Sequence, residues 1–367
     1  MALQFVVKQT SNTAPASITE SDFTMETSAV HLPLLPDSRD TSSRVPLPPY
    51  PRGWFFIEKS ANVSVGEVRA IRYFGRDLVL FRAADGTPCL LDAYCPHLGA
   101  HLGHGGCVEG NTIRCPFHGW KFDTSGQCVA IPYASKIPST AKVRAWLIRE
   151  KSGGIFAFYD PNGMDPPRGW EPPDVPELED SEWVAAHWCD RKVRSHVQEI
   201  AENLADPAHI QVLHELETGT MTAETDGHLL QLHTPVKSDG ARIGMPGFEL
   251  PFAFRSRAHG LGLQTVRLEE TMFESLVFTT ATPIDGQYVH LRTAIMTRKL
   301  PSEQATDMIH QMLVTEAIAN MEKEITIWEH KIYQARPILC DIEGPLPIFR
   351  RWAKQFYEQT LAPSAEE

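Results

Sequence analysis

The sequence predicts an α+β chain in which an all-β domain precedes a domain that mixes an antiparallel sheet with helices. Three observations carry this. Short β-like runs crowd the stretch from Trp54 to Phe158, and a proline-rich connector then interrupts the chain from Asp165 to Pro176. Beyond it, residues alternate in character through Gln264–Thr271, Leu276–Thr282 and Tyr288–Met296 before a long stretch poor in helix breakers.

Residues 1–48 are rich in Ser, Thr, Pro and Asp with few periodic apolar positions, and read as a mobile or loosely docked extension. The first strands are expected at Val68–Ile71, Asp77–Phe81 and Pro88–Leu91, with a hairpin turn at Asp85-Gly86 between the last two. Further strands are expected at Trp146–Ile148 and Gly154–Phe158. The three alternating stretches suggest an antiparallel sheet with one buried face. Glu303 to about Tyr333 reads as one long helix. The expected domain bounds are 1–48, 49–162 and 163–367, and no internal repeat is found.

Lys and Arg number 34 against 46 Asp and Glu, a net charge of −12, which disfavours nucleic-acid binding. No run of eighteen apolar residues offers a membrane span. The N-terminus lacks a basic segment followed by a long apolar one, so a cytoplasmic location is expected. Seven cysteines show no disulfide framework.

Two of those cysteines carry the chemistry. Cys95-Pro-His97 and Cys115-Pro-Phe-His118-Gly-Trp120 form C-x-H and C-x-x-H pairs separated by residues 98 to 114. This is the ligand set of a Rieske [2Fe–2S] cluster, in which two histidines replace two cysteines on one iron. Such a chain moves single electrons. High-potential proteins of this type resemble one another in an extra cysteine per cluster loop, joined as a disulfide. Here Ala100 and Phe117 stand where those would sit, which points to the lower-potential type. Cys107 is expected to be a small buried thiol. His101 and His104 read as loop or surface residues, Trp120 and Leu98 as a shield for the cluster. Arg114 and Lys121 read as solvated charges beside it.

A second group lies in Glu202-Asn203-Leu-Ala-Asp206-Pro-Ala-His209-Ile-Gln-Val-Leu-His214. On an ideal helix His209 and His214 point about 140° apart, so facing one metal requires the helix to break, widen or end between them. Asp206 reads either as a helix N-cap or as a carboxylate acceptor for the N–H of a ligating histidine.

Together, the two Cys-His motifs and N-x-x-D-x-x-H-x-x-x-x-H resemble the oxygenase component of Rieske non-haem iron oxygenases, over about residues 50 to 360. Ile327-Trp328-Glu-His-Lys331, Gly344–Trp352 and Gln355-Phe-Tyr357 resemble the branch of 3-ketosteroid 9α-hydroxylases and cholesterol 7-desaturases. The resemblance implies a helix-grip catalytic domain and an iron(II) held by two histidines and one carboxylate, leaving adjacent positions for O2. His209 and His214 match the histidines. The carboxylate, normally aspartate, matches Glu324. It is the only acid on the stripe Val314, Ala317, Met321, Glu324 and Trp328. Glu322 is the rival ligand, and pairing of Glu324 with Lys323 or Lys331 is the plain alternative. The resemblance also implies that Asp206 bridges the iron site to a cluster histidine of a neighbouring subunit, in a homotrimer.

The resemblance implies hydroxylation of a hydrophobic polycyclic substrate such as a steroid, with electrons from an external reductase or ferredoxin. Met245–Phe254 and Leu261-Gly-Leu263 read either as pocket lining or as ordinary sheet core. Arylamine N-oxygenation or desaturation are alternatives within the family. An electron-transfer protein with a non-catalytic binding domain is an alternative outside it. A structural zinc site is disfavoured because the Cys-His loops are not finger-like.

Overall fold

The computed structural model describes residues 44–239, 249–269, 271 and 273–357. Three small antiparallel sheets build the first half. The first is formed by β1 (Gly53–Lys59), β10 (Gly154–Tyr159) and β9 (Ile148–Lys151), in that order. The second is β2 (Val68–Tyr73), β3 (Arg76–Arg82) and β4 (Pro88–Asp92), and the third is β5 (Cys107–Glu109), β6 (Thr112–Arg114), β7 (Lys121–Asp123) and β8 (Cys128–Ala130). The expected turn at Asp85-Gly86 is present: Gly86 takes φ 89° and the Thr87 amide donates to the Asp85 carboxylate at 2.9 Å. One expectation shifts. The strand foreseen at Trp146 begins only at Ile148, because the Trp146 ring turns inward and its Nε1 donates to Asp92 at 2.9 Å.

The second half is an eight-stranded antiparallel sheet ordered β11 (His187–Val193), β18 (Val289–Thr297), β17 (Ser275–Pro283), β16 (Leu263–Glu269), β15 (Glu249–His259), β14 (Leu229–Asp239) and β12 (Glu217–Thr218), with β13 (Thr222–Asp226) also paired to β14. Helices α1 (Val197–Glu202), α2 (Pro207–Val212), α3 (Glu303–His330) and α4 (Pro345–Ala353) complete it. The 28 residues of α3 span about 42 Å. Ser302 caps its start by accepting from the Ala305 amide, and α3 packs on β11 and β18.

The expectation of one buried sheet face is corrected at the centre. β17 and β18 are buried on both faces, because β1 covers the side away from α3. Thr282 donates to the Phe56 carbonyl at 2.7 Å, and the Phe56 ring meets Phe278 edge-on. One large apolar core therefore joins the first small sheet to the big sheet. A separate, smaller core surrounds the two Cys-His loops.

Of the expected N-terminal extension, only residues 44–48 lie within the described residues, and Arg44 ties them to the end of α3. The Arg44 guanidinium donates to the carbonyls of Trp328, Glu329 and Lys331. It thereby satisfies acceptors that the end of α3 leaves orphaned.

Candidate metal centres

The loops carrying the Cys-His pairs repeat one backbone design, one between β4 and β5 and the other between β6 and β7. In each, the glycine four residues on donates to the cysteine carbonyl: Gly99 to Cys95 at 3.0 Å, Gly119 to Cys115 at 3.1 Å. The cysteine amide in turn donates five residues ahead, Cys95 to Ala100 at 2.9 Å and Cys115 to Trp120 at 2.8 Å. Such a turn needs left-handed backbone at the glycine, and φ is 74° at Gly99 and 72° at Gly119. The two loops bring the His97 and His118 rings to 4.6 Å between centroids. Trp120 stacks on His97 at 4.7 Å and 9°, and its Nε1 donates to the Tyr133 hydroxyl at 2.8 Å.

The donors suit a metal cluster. Cys95 and Cys115 are buried. Burial, and then the neighbouring Cys115, pushes the Cys95 thiol up to about 11, so a thiolate there calls for a compensating cation. His97 Nδ1 is buried with no hydrogen-bond partner among the described residues. A buried nitrogen without a partner is costly unless something else occupies its lone pair, and a metal does.

Around these loops two expectations are corrected. Leu98 is 65% exposed, its side chain turned to solvent at the loop tip rather than over the ligands. Cys107 is exposed, not buried, because it faces outward on β5. None of the seven cysteines is joined in a disulfide. Lys121 and Arg114 both pair with Glu109, at 2.6 and 3.6 Å. The His101 and His104 rings lie 4.4 Å apart, and His101 Nδ1 accepts from the Gly103 amide.

The second site forms where α2 ends. The 140° problem is solved by termination: α2 stops at Val212, the His214 amide reaches back five residues to the His209 carbonyl, and Glu215 takes φ 55°. Lys323 on α3 donates to the Leu213 carbonyl at 3.3 Å, tying that end to the facing helix. Glu324 approaches from α3, with Oε1 at 3.0 Å from His214 Nε2 and 3.7 Å from His209 Nε2. One ligand atom from each of the three lies within 4.8 Å of the others. Glu322 is turned away and pairs with Arg191 at 2.6 Å, while Lys331 pairs with Glu199.

Tautomer logic shows what this triad can hold. His209 Nδ1 lies 2.5 Å from the Asp206 backbone carbonyl, which only accepts, so Nδ1 carries the proton. Nε2 is then a bare lone pair facing a carboxylate oxygen, an arrangement that a cation satisfies. Burial holds the His209 pKa below the usual value, which favours the neutral donor form. Asp206 itself is the N-cap, its Oδ1 accepting from Ala208 and His209 at 2.9 and 3.3 Å. The backbone carbonyl of Asp206, not its carboxylate, makes the closer contact with His209 Nδ1; the carboxylate Oδ2 stands at 3.8 Å.

The triad sits in the wall of a cavity of about 610 Å³ between the big sheet and α3. Ala317, Met321, Glu324 and Trp328 of the expected stripe line it, whereas Val314 is buried in the protein interior. Phe252 and Phe254 line it as well, but Leu261 and Leu263 belong to the core, and residues 245–248 lie outside the described residues. Sequence reasoning did not single out Gln264 or Thr293 as lining residues, since alternation marks a buried face without saying what that face meets.

Residues 53–141 match the Rieske [2Fe-2S] domain, and residues 157–357, more than half the chain, match the 3-Ketosteroid 9alpha-hydroxylase C-terminal domain. The chain belongs to the Rieske oxygenases. It is 32% identical over 324 residues to a probable 3-ketosteroid-9-alpha-monooxygenase oxygenase component of Rhodococcus rhodochrous, covering 84% of this chain and 80% of that protein. It is 29% identical over 338 residues to cholesterol 7-desaturase nvd 1 of Ciona intestinalis, covering 85% and 70%. Among solved structures, NdmA of Pseudomonas putida CBB5 with caffeine aligns at TM-score 0.67 and 17% identity, covering 82% of this chain and 89% of that one. Apo dicamba monooxygenase aligns at 0.64 and 18%, covering 83% and 96%. At these identities the structures establish the fold. In this Rieske oxygenase the Cys95, His97, Cys115 and His118 loops belong to the cluster domain, and the cavity lies in the oxygenase domain. No helix among the described residues is long and apolar enough to cross a membrane.

Proposed function

We propose that this oxygenase component hydroxylates a hydrophobic polycyclic substrate of steroid type, with electrons supplied singly by an external reductase or ferredoxin. The observation that carries the reading is the cavity: about 610 Å³ of mostly apolar space with His209, His214 and Glu324 in its wall. That volume lies within the range of cavities that bury most of a small ligand's surface. When bound, the [2Fe–2S] group at Cys95, His97, Cys115 and His118 supplies single electrons, and iron(II) at His209, His214 and Glu324 supplies O2 activation.

The chain's own residues do the rest. The Asp206 carbonyl keeps the proton on His209 Nδ1 and so holds Nε2 ready as a donor. Asn203 Oδ1 accepts from Trp328 Nε1 at 3.4 Å, pinning two lining residues beside the triad. Phe252, Phe254, Val266 and Ile295 exclude water from the substrate. The Asp206 side chain remains partly exposed; the cluster loops present Leu98 and Phe117, and the segment after β8 presents Tyr133, each more than 60% exposed. These features support a homotrimer in which Asp206 of one copy bridges to a cluster histidine of the next. A cytoplasmic location fits the sequence.

The test is O2 uptake and product analysis with a reductase present, across steroids and arylamines. A steroid product that has gained oxygen is the expected outcome. Oxidation of arylamines alone would sink the steroid reading. Because relatives include cholesterol 7-desaturases, a steroid product that has lost two hydrogens would shift the assignment to desaturation at the same site.

A further inference from the structure

Strand register draws a line of polar side chains across the cavity wall. Gln264 on β16 stands opposite Thr279 on β17, and Thr279 opposite Thr293 on β18. All three line the cavity. The two threonines engage each other at 3.5 Å, and the Thr293 hydroxyl donates to Met321 Sδ at 3.7 Å. Gln264 differs. It is 4% exposed, and its amide nitrogen has no hydrogen-bond partner among the described residues. A primary amide carries two N–H donors, and sealing them away unpaired is among the costlier things a fold does. The side chain is part of the cavity wall, and a turn about its own χ angles carries the closed-off amide into the space left for a ligand.

We infer that the Gln264 carboxamide is the recognition point for an oxygen acceptor, a ketone or hydroxyl, on an otherwise hydrocarbon substrate. This rests on the polycyclic-substrate reading and adds a specificity-determining residue to it. The rows beside this line bring Val266, Val277 and Ile295 to the wall, so apolar surface flanks the amide. Two strand spacings, about 10 Å, separate the Gln264 backbone from that of Thr293. Thr293 touches Met321, one turn before Glu324 on α3. A molecule anchored at Gln264 therefore extends across the cavity toward Glu324, and the oxygen it is held by is not the position it offers for oxidation.

The test compares two probes that differ by one oxygen: the four-ring hydrocarbon androstane and androstanone, which adds a single ketone. Dissociation constants are measured for the intact holoenzyme and for Gln264→Leu and Gln264→Met, with the melting temperature and the mononuclear iron content as the check on folding. The androstanone-to-androstane affinity ratio should fall by roughly tenfold in both variants, the loss of one buried hydrogen bond, with the androstane affinity held or improved. In turnover the change should enter KM rather than kcat. Equal loss for both probes would make Gln264 a structural residue, and an unchanged ratio would mean that water satisfies it; either result overturns the assignment. If the wild-type protein binds neither probe, the polycyclic-substrate reading falls, and this inference with it.

Discussion

The two donor sets of this chain are built in opposite ways. Cys95, His97, Cys115 and His118 come from two loops that repeat one turn, closed by their own backbone hydrogen bonds and wrapped in their own small core. His214 and Glu324 meet across 110 residues of chain, brought together by α3 docking on the sheet and by Lys323 gripping the end of α2. The first geometry is a property of short segments. The second is a property of the whole domain, so it should yield to different perturbations.

Glu324→Ala should separate the two most sharply. Mononuclear iron content and turnover should be lost, while the EPR signal of the reduced cluster is unchanged. Full iron retention would remove Glu324 from the ligand set.

Acid should next weaken the non-local side. His196 caps α1, which leads into the Asn203–His209 segment; its Nδ1 accepts from Gln198 and its Nε2 donates to Pro48. Burial holds its pKa at about 4, below the ordinary 6.5. Above pH ~6.5 the ring is neutral in both folded and unfolded chains and has no effect. Below that the unfolded chain gains a proton that the folded one refuses, so stability falls until pH ~4, by about 3 kcal/mol in all. Melting temperatures followed across this range should show the loss, and His196→Asn, which retains a capping side chain, should flatten the curve.

Asp206→Asn addresses the proposed link between the sites. Asparagine caps a helix as well as aspartate does, so the melting temperature should hold. Single-turnover electron transfer from the cluster to the iron should slow by about 10–100-fold, the range for polar partners of metal ligands. An unchanged rate would leave Asp206 as a cap alone. The smallest effect is local: Gly119→Ala imposes a left-handed alanine with its Cβ 3.0 Å from Pro132 Cγ, costing about 1–2 kcal/mol. Cluster occupancy should drop and mononuclear iron should not. Parallel loss of both metals would mean that the two regions are not separable in this way.

The same contrast explains what could be read from the amino acids. The paired Cys-His loops were legible because the motif and the turn coincide in a few residues. The break after His209 was legible because helix geometry forbids the alternative. Glu324 against Glu322 was harder, since two positions of register on a 28-residue helix decide it and Arg191, from a distant strand, draws Glu322 away. β5 to β8 are too short, three residues each, to show a period. The burial of β17 and β18 on both faces depends on β1, more than two hundred residues earlier. Cys107 departs from expectation because residue type favours buried thiols, while its place on an outward strand face is set by pairing.

The hold of Arg44 on the end of α3 has a consequence for synthesis. Its acceptor on Lys331 lies 287 residues later in the chain. At ribosomal speeds of about 5–20 residues per second, roughly 15 to 60 s pass between the making of the two partners. The cluster loops have their full complement of residues long before then. The helix bearing Glu324 gains its fastening from Arg44 only once Lys331 has emerged, so the order of translation completes this half after the cluster half.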